Sequence, residues 1–399
     1  MINTVKQYQN ELKAELNDIL EYWTQCSLDE KNGGFFGRID QENKIDETAS
    51  KGAVLNARIL WSFSAAYNCT KDEKYLAVAN RAFGYINTYF IDKEFGGIYW
   101  TVNYKGEPED TKKQIYALSF LQYACSEYYQ STKLQAAKTL AVNLYHLIEQ
   151  YSFDPAQTGY LEAFTRQWKA IDDLRLSSKD ANEKKTMNTH LHVLEAYTNL
   201  YRIWPDAALY KSIVLLIKNF TDHIINQQSG HLHLFFTEEW KVKGDIVSYG
   251  HDIEAAWLLL EAAEIIKDEK LIAQLKNVAV KIAAATTEGL DEDGGLWYEK
   301  EEGHLIKQKH WWPQAEAMIG FFTAWQITSL SIYLSYSLNS WQFVKSKIID
   351  HANGEWFWGV NENGIAMQGE DKVGLWKCPY HNSRACIELI NRIERLKHN

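Results

Sequence analysis

The chain has 399 residues, with 42 lysines and arginines against 52 aspartates and glutamates, for a formal charge of -10. That acidity, with no basic run longer than Lys112-Lys113 or Lys184-Lys185, argues against a nucleic-acid partner. Five cysteines without C-x-x-C spacing give neither a disulfide framework nor a structural zinc site, and five prolines with no linker-like stretch leave residues 1–399 to be read as one large domain.

At the start, Lys6, Glu11, Lys13, Glu15 and Asp18 fall in a helical pattern that is incompatible with the apolar core of a signal peptide. No window approaches the roughly 18 to 20 uninterrupted apolar residues of a membrane span, so the expectation is a soluble, cytoplasmic protein without a membrane partner. A glycine followed by an aromatic or apolar cluster then recurs six times. The instances are Gly33-Gly34-Phe35-Phe36, Gly96-Gly97-Ile98-Tyr99-Trp100, Gly159-Tyr160-Leu161, Gly230-His231-Leu232-His233, Gly294-Gly295-Leu296-Trp297-Tyr298 and Gly354-Glu355-Trp356-Phe357-Trp358. Counted from Gly34, Gly97, Gly159, Gly230, Gly295 and Gly354, they stand 59 to 71 residues apart, which marks a repeat architecture.

Between these units lie two helix-like stretches, such as 51–67 followed by 74–90. The first is apolar nearly all round, as in 53–61 and 253–260, and belongs inside; the second carries lysines and acids along one face, as in 271–285, and belongs outside. Six such hairpins, an inner ring within an outer one, predict an all-α fold, the (α/α)6 barrel, with the aromatic runs after the glycines (232–236, for example) forming short strands or hairpin loops at one rim. An open solenoid of helical pairs is the competing arrangement.

Each inner helix carries a polar group early in its run: Arg58, Tyr116, Asn188 with His192, His251 with Glu254, Glu316, and His381 with Arg384. Inner helices that run the same way gather these first turns at one end, the candidate active site. A lone histidine in an apolar helix is most often a core residue whose nitrogens are satisfied. Three at equivalent repeat positions, beside two glutamates and an arginine, favour proton-transfer chemistry instead. His190 diverges from His192 by about 200° on a helix and reads as structural or as a support behind the site. His231 and His233, joined by His251, offer a metal-site alternative that no H-E-x-x-H or cysteine cluster supports, so no metal is expected. A serine or cysteine nucleophile lacks a motif. Asp180, Glu254 and Glu316 could supply the acid and base of a glycoside hydrolase. Against that, His251 and Glu254 stand at i, i+3, a spacing that suits a carboxylate orienting an imidazole.

At these residues the chain resembles the N-acylglucosamine 2-epimerase superfamily, and within it the cellobiose 2-epimerases. The resemblance rests on 51–61, 113–117, 179–192, 248–255 and 310–317, and extends from about residue 30 to residue 390. It implies a cofactor-independent inversion at C2 of the reducing glucose of a β-1,4-linked disaccharide, turning cellobiose into glucosyl-mannose and lactose into epilactose. Carried over residue by residue, the acid/base histidines match His192, His251 and His381, and the arginine matches Arg58. The stacking tryptophans match Trp312 and Trp376, with Trp257 nearby and Trp311 able to exchange roles with Trp312. Tyr116, Asp180, Asn188, Glu254 and Glu316 match positions that bind or orient. The chain departs at Ser177-Ser178-Lys179-Asp180, where relatives often carry an extra acid before the lysine; Asp180 itself is kept.

Chemically, C2 of an aldose becomes acidic only once the ring opens, which needs protons moved between the ring oxygen and the anomeric hydroxyl; histidine does this near neutral pH. Deprotonation at C2 leaves an enediolate, for which Arg58 is the natural cationic partner. His251 and His381 are expected to act on opposite faces of C2, His192 at O1 or the ring oxygen, with Glu254 and Glu316 setting imidazole charge and position. The alternatives are an epimerase for mannose and glucose or N-acylhexosamines, an aldose-ketose isomerase, a glycoside hydrolase on the same barrel, and a non-catalytic sugar-binding protein. A sugar is the expected partner of a monomer or homodimer.

Overall fold

A computed structural model describes residues 2–177 and 179–396; Ser178, part of the departure noted above, and the remaining terminal residues lie outside the described residues. The helices are α1 (Ile2–Cys26), α2 (Ala53–Thr70), α3 (Glu73–Tyr85), α4 (Ile115–Thr132), α5 (Gln135–Tyr151), α6 (Met187–Ile203), α7 (Ala207–Asn219), α8 (Tyr249–Ile266), α9 (Glu269–Thr286), α10 (Trp311–Thr328), α11 (Ser331–Phe343) and α12 (Tyr380–Arg395). None is long and apolar enough to cross a membrane.

The inner ring is α2, α4, α6, α8, α10 and α12, each packed on the next, and α12 packs on α2. That last contact closes the ring and rules out the open solenoid. The inner helices are buried on nearly every side, as their all-round apolar character requires, and four of their buried hydroxyls are satisfied by the carbonyl one turn back: Ser119 on Ile115, Ser126 on Gln122, Thr198 on Leu194, Thr323 on Ile319. The outer helices bury one face only.

Five hairpins are contiguous, inner helix then outer. The sixth departs from the sequence expectation: the outer partner of α12 is α1, from the opposite end of the chain. Gln9 donates to the Ile390 carbonyl and to Glu394, and Trp23 and Trp356 bond Glu355 and Glu15 across the join.

The six glycine units are turns. Gly33, Gly96, Gly159, Gly230, Gly294 and Gly354 have φ between 74° and 86°, a conformation that favours glycine at each turn. Five are preceded by an aspartate (Asp29, Asp92, Asp154, Asp291, Asp350) whose carboxylate meets a buried lysine: Lys51, Lys113 and Lys185 at 2.8 Å, Lys309 at 2.5 Å and Lys372 at 2.7 Å. The fourth unit has Asn226 and Val247 in the corresponding places. After each turn comes a short strand that pairs antiparallel with the residues leading into an inner helix, as Phe235–Phe236 pairs with Lys185–Thr186 and Thr101–Val102 with Lys51–Gly52. These ladders sit at the end where the inner helices begin and tie each repeat to its neighbour.

Candidate active site

The first two turns of the six inner helices converge on one polar cluster at the rim that bears the strands. On α6, Thr186 caps the helix by accepting from the Thr189 amide at 3.1 Å, and Glu162 accepts from the Thr186 amide and the Thr189 hydroxyl at 2.8 and 2.6 Å. This locked turn presents Asn188 and His192. Asn188 is half-buried, and its Oδ1 has no hydrogen-bond partner within the protein. His190, on the other side, donates from Nδ1 to the Thr186 carbonyl at 2.6 Å and accepts the Tyr160 amide on Nε2 at 2.9 Å. Both nitrogens are spent and burial holds its pKa down at about 3, so it is structural.

The three remaining histidines differ in what holds Nδ1. His192 donates to Glu195 Oε2 at 2.9 Å, His381 shares a proton with Glu316 Oε1 at 2.7 Å, and His251 lies 2.8 Å from the Ser248 hydroxyl. In each case Nε2 is left for chemistry. Burial, then the neighbouring His192, lowers His251 to about 3, so it is a neutral base at ordinary pH. Burial, with Arg58 and Arg384 close by, also keeps His381 neutral, while burial pushes its partner Glu316 upward against the pull of Arg384.

The expected His251–Glu254 pair does not form. Glu254 turns to Arg384, which donates to it at 2.5 Å and to Glu316 at 2.6 Å, while Nη1 donates to Glu195. A guanidinium attracts a buried carboxylate more strongly than a neutral imidazole does. The i, i+3 histidine–glutamate pair that exists is His192–Glu195, a residue the sequence reasoning missed although the spacing was there to be read. Burial alone would raise Glu195, but Arg384 outweighs it and holds the carboxylate at about 2. Glu254, by contrast, is raised to about 7 by burial and by Glu316. Glu254, Glu316 and His381 bring ligand atoms within 4.8 Å of one another, a spacing a cation could use; the cationic position between the two carboxylates is filled by Arg384 itself.

Arg58 contrasts with Arg384. It is 3% exposed and donates to the Tyr116 hydroxyl at 2.8 Å, with the Phe120 and Tyr380 rings 4.1 and 4.8 Å from its guanidinium carbon. Among the described residues no carboxylate lies within ion-pair distance of it, and its Nε has no partner. A buried cation without a counter-charge is an anion site in waiting.

Two half-buried indoles flank the cluster. Trp312 lies tilted beside His251 (ring centroids 4.7 Å) and His381 (5.7 Å), and Trp376 lies against Trp100 and Tyr116. The α8 backbone approaches Trp312 so closely at Gly250 that a Cβ there would fall 2.5 Å from the ring. Trp311 is buried against Trp358, so it does not share the role of Trp312. Trp257, expected on the sugar side, is a correction: it is 1% exposed, one turn below Glu254, donates to Glu316 at 3.1 Å and lies under Arg384. Its indole holds the acid rather than a ligand. Asp180 is half-buried and accepts from the Ser177 amide at 2.8 Å. The alternative metal trio does not assemble: His231 is taken by Asp252 at 2.7 Å and Glu288 at 3.1 Å, away from His251.

Residues 34–385 match the family described as N-acylglucosamine 2-epimerase (GlcNAc 2-epimerase). The chain is 50% identical over 385 residues to the cellobiose 2-epimerase of Bacteroides fragilis, covering 96% of this chain and 98% of that one. The structure of the cellobiose 2-epimerase from Bacillus thermoamylovorans B4167 superposes with a TM-score of 0.92 at 40% identity, over 97% of this chain and 100% of that chain. The D-mannose isomerase of Marinomonas mediterranea is 22% identical over 96% of this chain and 97% of its own length.

Proposed function

The chain belongs to the N-acylglucosamine 2-epimerase family, and we propose that within it the protein inverts C2 of the reducing glucose of β-1,4-linked disaccharides such as cellobiose and lactose. The observation that carries this reading is the juxtaposition of three histidines, each anchored at Nδ1, with a buried arginine that lacks a counter-charge. A hydrolase needs two carboxylates facing the sugar; here Glu195, Glu254 and Glu316 are all committed to Arg384.

The reaction runs as follows. His192, as imidazolium beside Glu195, gives its Nε2 proton to the ring oxygen; the C1–O5 bond opens, C1=O1 forms, and the proton of the anomeric hydroxyl returns to Nε2. His251, neutral, removes the C2 proton. The charge that develops on O1 meets the Arg58 guanidinium, which is already in place and already desolvated. His381 delivers its Nε2 proton to the opposite face of C2 as the proton it shares with Glu316 moves onto Nδ1, leaving a neutral imidazole beside a carboxylate; His251 gives up its proton and Glu316 regains one through solvent before the next turnover. Ring closure reverses the first step, and the reverse epimerisation exchanges the parts of His251 and His381. Trp312 and Trp376 offer apolar faces to the sugar rings, and Tyr116 and Asn188 its hydroxyl partners.

Incubation with cellobiose, lactose, glucose and mannose tests the reading. A new disaccharide of unchanged mass is expected from cellobiose and lactose; free monosaccharides, a ketose or no product would each overturn it. His251→Asn and His381→Asn should each abolish both epimerisation and exchange of the C2 hydrogen with solvent deuterium in a folded protein, and full activity in either would reassign the C2 pair.

A further inference from the structure

The carboxylate behind His192 differs from the others in lying between two openings of the barrel. Both of its oxygens are used: Oε2 accepts from His192 Nδ1 at 2.9 Å, and Oε1 accepts from the Tyr380 hydroxyl at 2.5 Å and from Arg384. Its side chain is 2% exposed. On its far side, where the inner helices end, lies a cavity of about 330 Å³ whose walls include Glu195, Trp61, Tyr123, Asn199, Arg202 and Glu261. His192 stands in the second turn of α6 and Glu195 one turn deeper, so the same residue meets the catalytic imidazole on one side and lines the far cavity on the other.

Resting on the epimerase reading, we infer that Glu195 is the positioning residue for His192, and that the far cavity gives small molecules access to it without passing the sugar. With Nδ1 fixed on a carboxylate in both protonation states, only Nε2 exchanges protons, and the imidazole cannot rotate or adopt the other tautomer. His251, held by a hydroxyl, has no such constraint, and the Glu316 oxygen that meets His381 is shared with Arg384, whereas Glu195 gives Oε2 to His192 and meets Tyr380 and Arg384 through Oε1. Glu195 is therefore the fixed point of the three. Shortening Glu195 to alanine would leave three donors, His192 Nδ1, the Tyr380 hydroxyl and Arg384 Nη1, aimed at an empty space the size of a small carboxylate and reachable from behind.

The experiment is chemical rescue. Glu195→Ala should lower kcat on cellobiose by about 100-fold, the lower range of what a general acid contributes, with a much smaller change in KM. Sodium formate should restore kcat of this variant with saturation, and should do nothing for Glu195→Gln, whose amide still fills the space. Wild-type activity in Glu195→Ala, or a folded, inactive Glu195→Ala indifferent to formate, overturns the proposal. If the alanine variant does not fold, Glu195→Gln decides: reduced kcat at constant KM supports it and full activity overturns it. A wild type that leaves cellobiose unchanged instead overturns the epimerase reading. The slowly exchanging Nδ1 proton of His192, seen by NMR in the wild type and lost in Glu195→Ala, then tests Glu195 alone; its persistence in the variant overturns the proposal.

Discussion

At the scale of single residues, the two buried arginines divide the electrostatic work. Arg384 is neutralised by Glu195, Glu254 and Glu316 and organises the acids, whereas Arg58 has aromatic walls and a tyrosine hydroxyl but no acid. Removing the planar fork while keeping the charge should therefore fall on the transition state. Arg58→Lys is expected to lower kcat by about 100-fold or more, the cost of one lost oxyanion donor, while leaving KM within a few-fold; steady-state kinetics on cellobiose decides, and an unchanged kcat would remove Arg58 from the chemistry. Much of this was legible before the fold was known, because Arg58, His192, His251, Glu316 and His381 each open an inner helix. Pairings across helices were not legible. His251–Glu254 and His192–Glu195 have the same i, i+3 spacing, and both carboxylates meet Arg384, brought in by α12 from more than a hundred residues away; Glu195 keeps its second oxygen on His192, whereas Nδ1 of His251 is held by Ser248. Trp257 was misjudged for a related reason: its sequence places it on the site-facing side of α8 but says nothing about depth.

At the scale of the element, the repeated lysine–aspartate pairs join five of the six glycine turns to the strand before an inner helix. Lys51 and Asp29 are each 1% exposed, and Lys51 also donates to the Gly33 carbonyl at 2.7 Å. Lys51→Val should cost about 3–5 kcal/mol in denaturant unfolding, because it strands a buried carboxylate. The fourth repeat already contains a neutral solution, Asn226 with Val247, in which Asn226 Oδ1 still accepts the turn amides of Gln228 and Ser229. Asp29→Asn combined with Lys51→Val should thus recover roughly half of the loss. That fourth repeat has a histidine anchor instead: burial alone would lower His231, but Asp252 and Glu288 outweigh it and raise its pKa above 6.5. A raised folded-state pKa gives stability that is complete below the unfolded value of about 6.5 and is lost as pH rises through the folded value. The thermal midpoint should fall over that window in the wild type, and His231→Gln should flatten the slope. The all-round apolar stretches disclosed the inner helices, but the lysine pairs stayed hidden, since a single lysine before each helix looks like surface until the turn aspartate is seen beneath it.

At the scale of the whole molecule, the ring is closed by its two ends. α12 carries His381 and Arg384 on its inner side and is covered outside by α1, so a catalytic helix depends on residues at the opposite end of the chain. The even glycine period disclosed six units but not this division, because a period counts turns and does not say which outer helix accompanies the last inner one. Elsewhere, inner and outer helices are joined at the far end of the barrel by short turns, such as Lys71–Asp72 or residues 204–206. Gln9 bonding Ile390 and Glu394 places the start of α1 beside the end of α12 at that same end, so the break between them occupies the position of a hairpin turn. If the six hairpins are equivalent, the break can be moved. A circular permutant that joins residue 396 to residue 2 through a short flexible linker and opens the chain at 204–206 should fold with native helix content and turn over cellobiose at close to the wild-type rate, since no contact of the site is altered. Deleting residues 2–26 without permutation should instead uncover α12, exposing the apolar surface now under Leu12, Leu16, Ile19 and Trp23, and abolish activity. Circular dichroism and product analysis distinguish the two variants. An inactive, unfolded permutant would mean that the gap between α12 and α1 is not interchangeable with the hairpin turns, and an active truncation would mean that α12 holds its register against α2 and α10 alone.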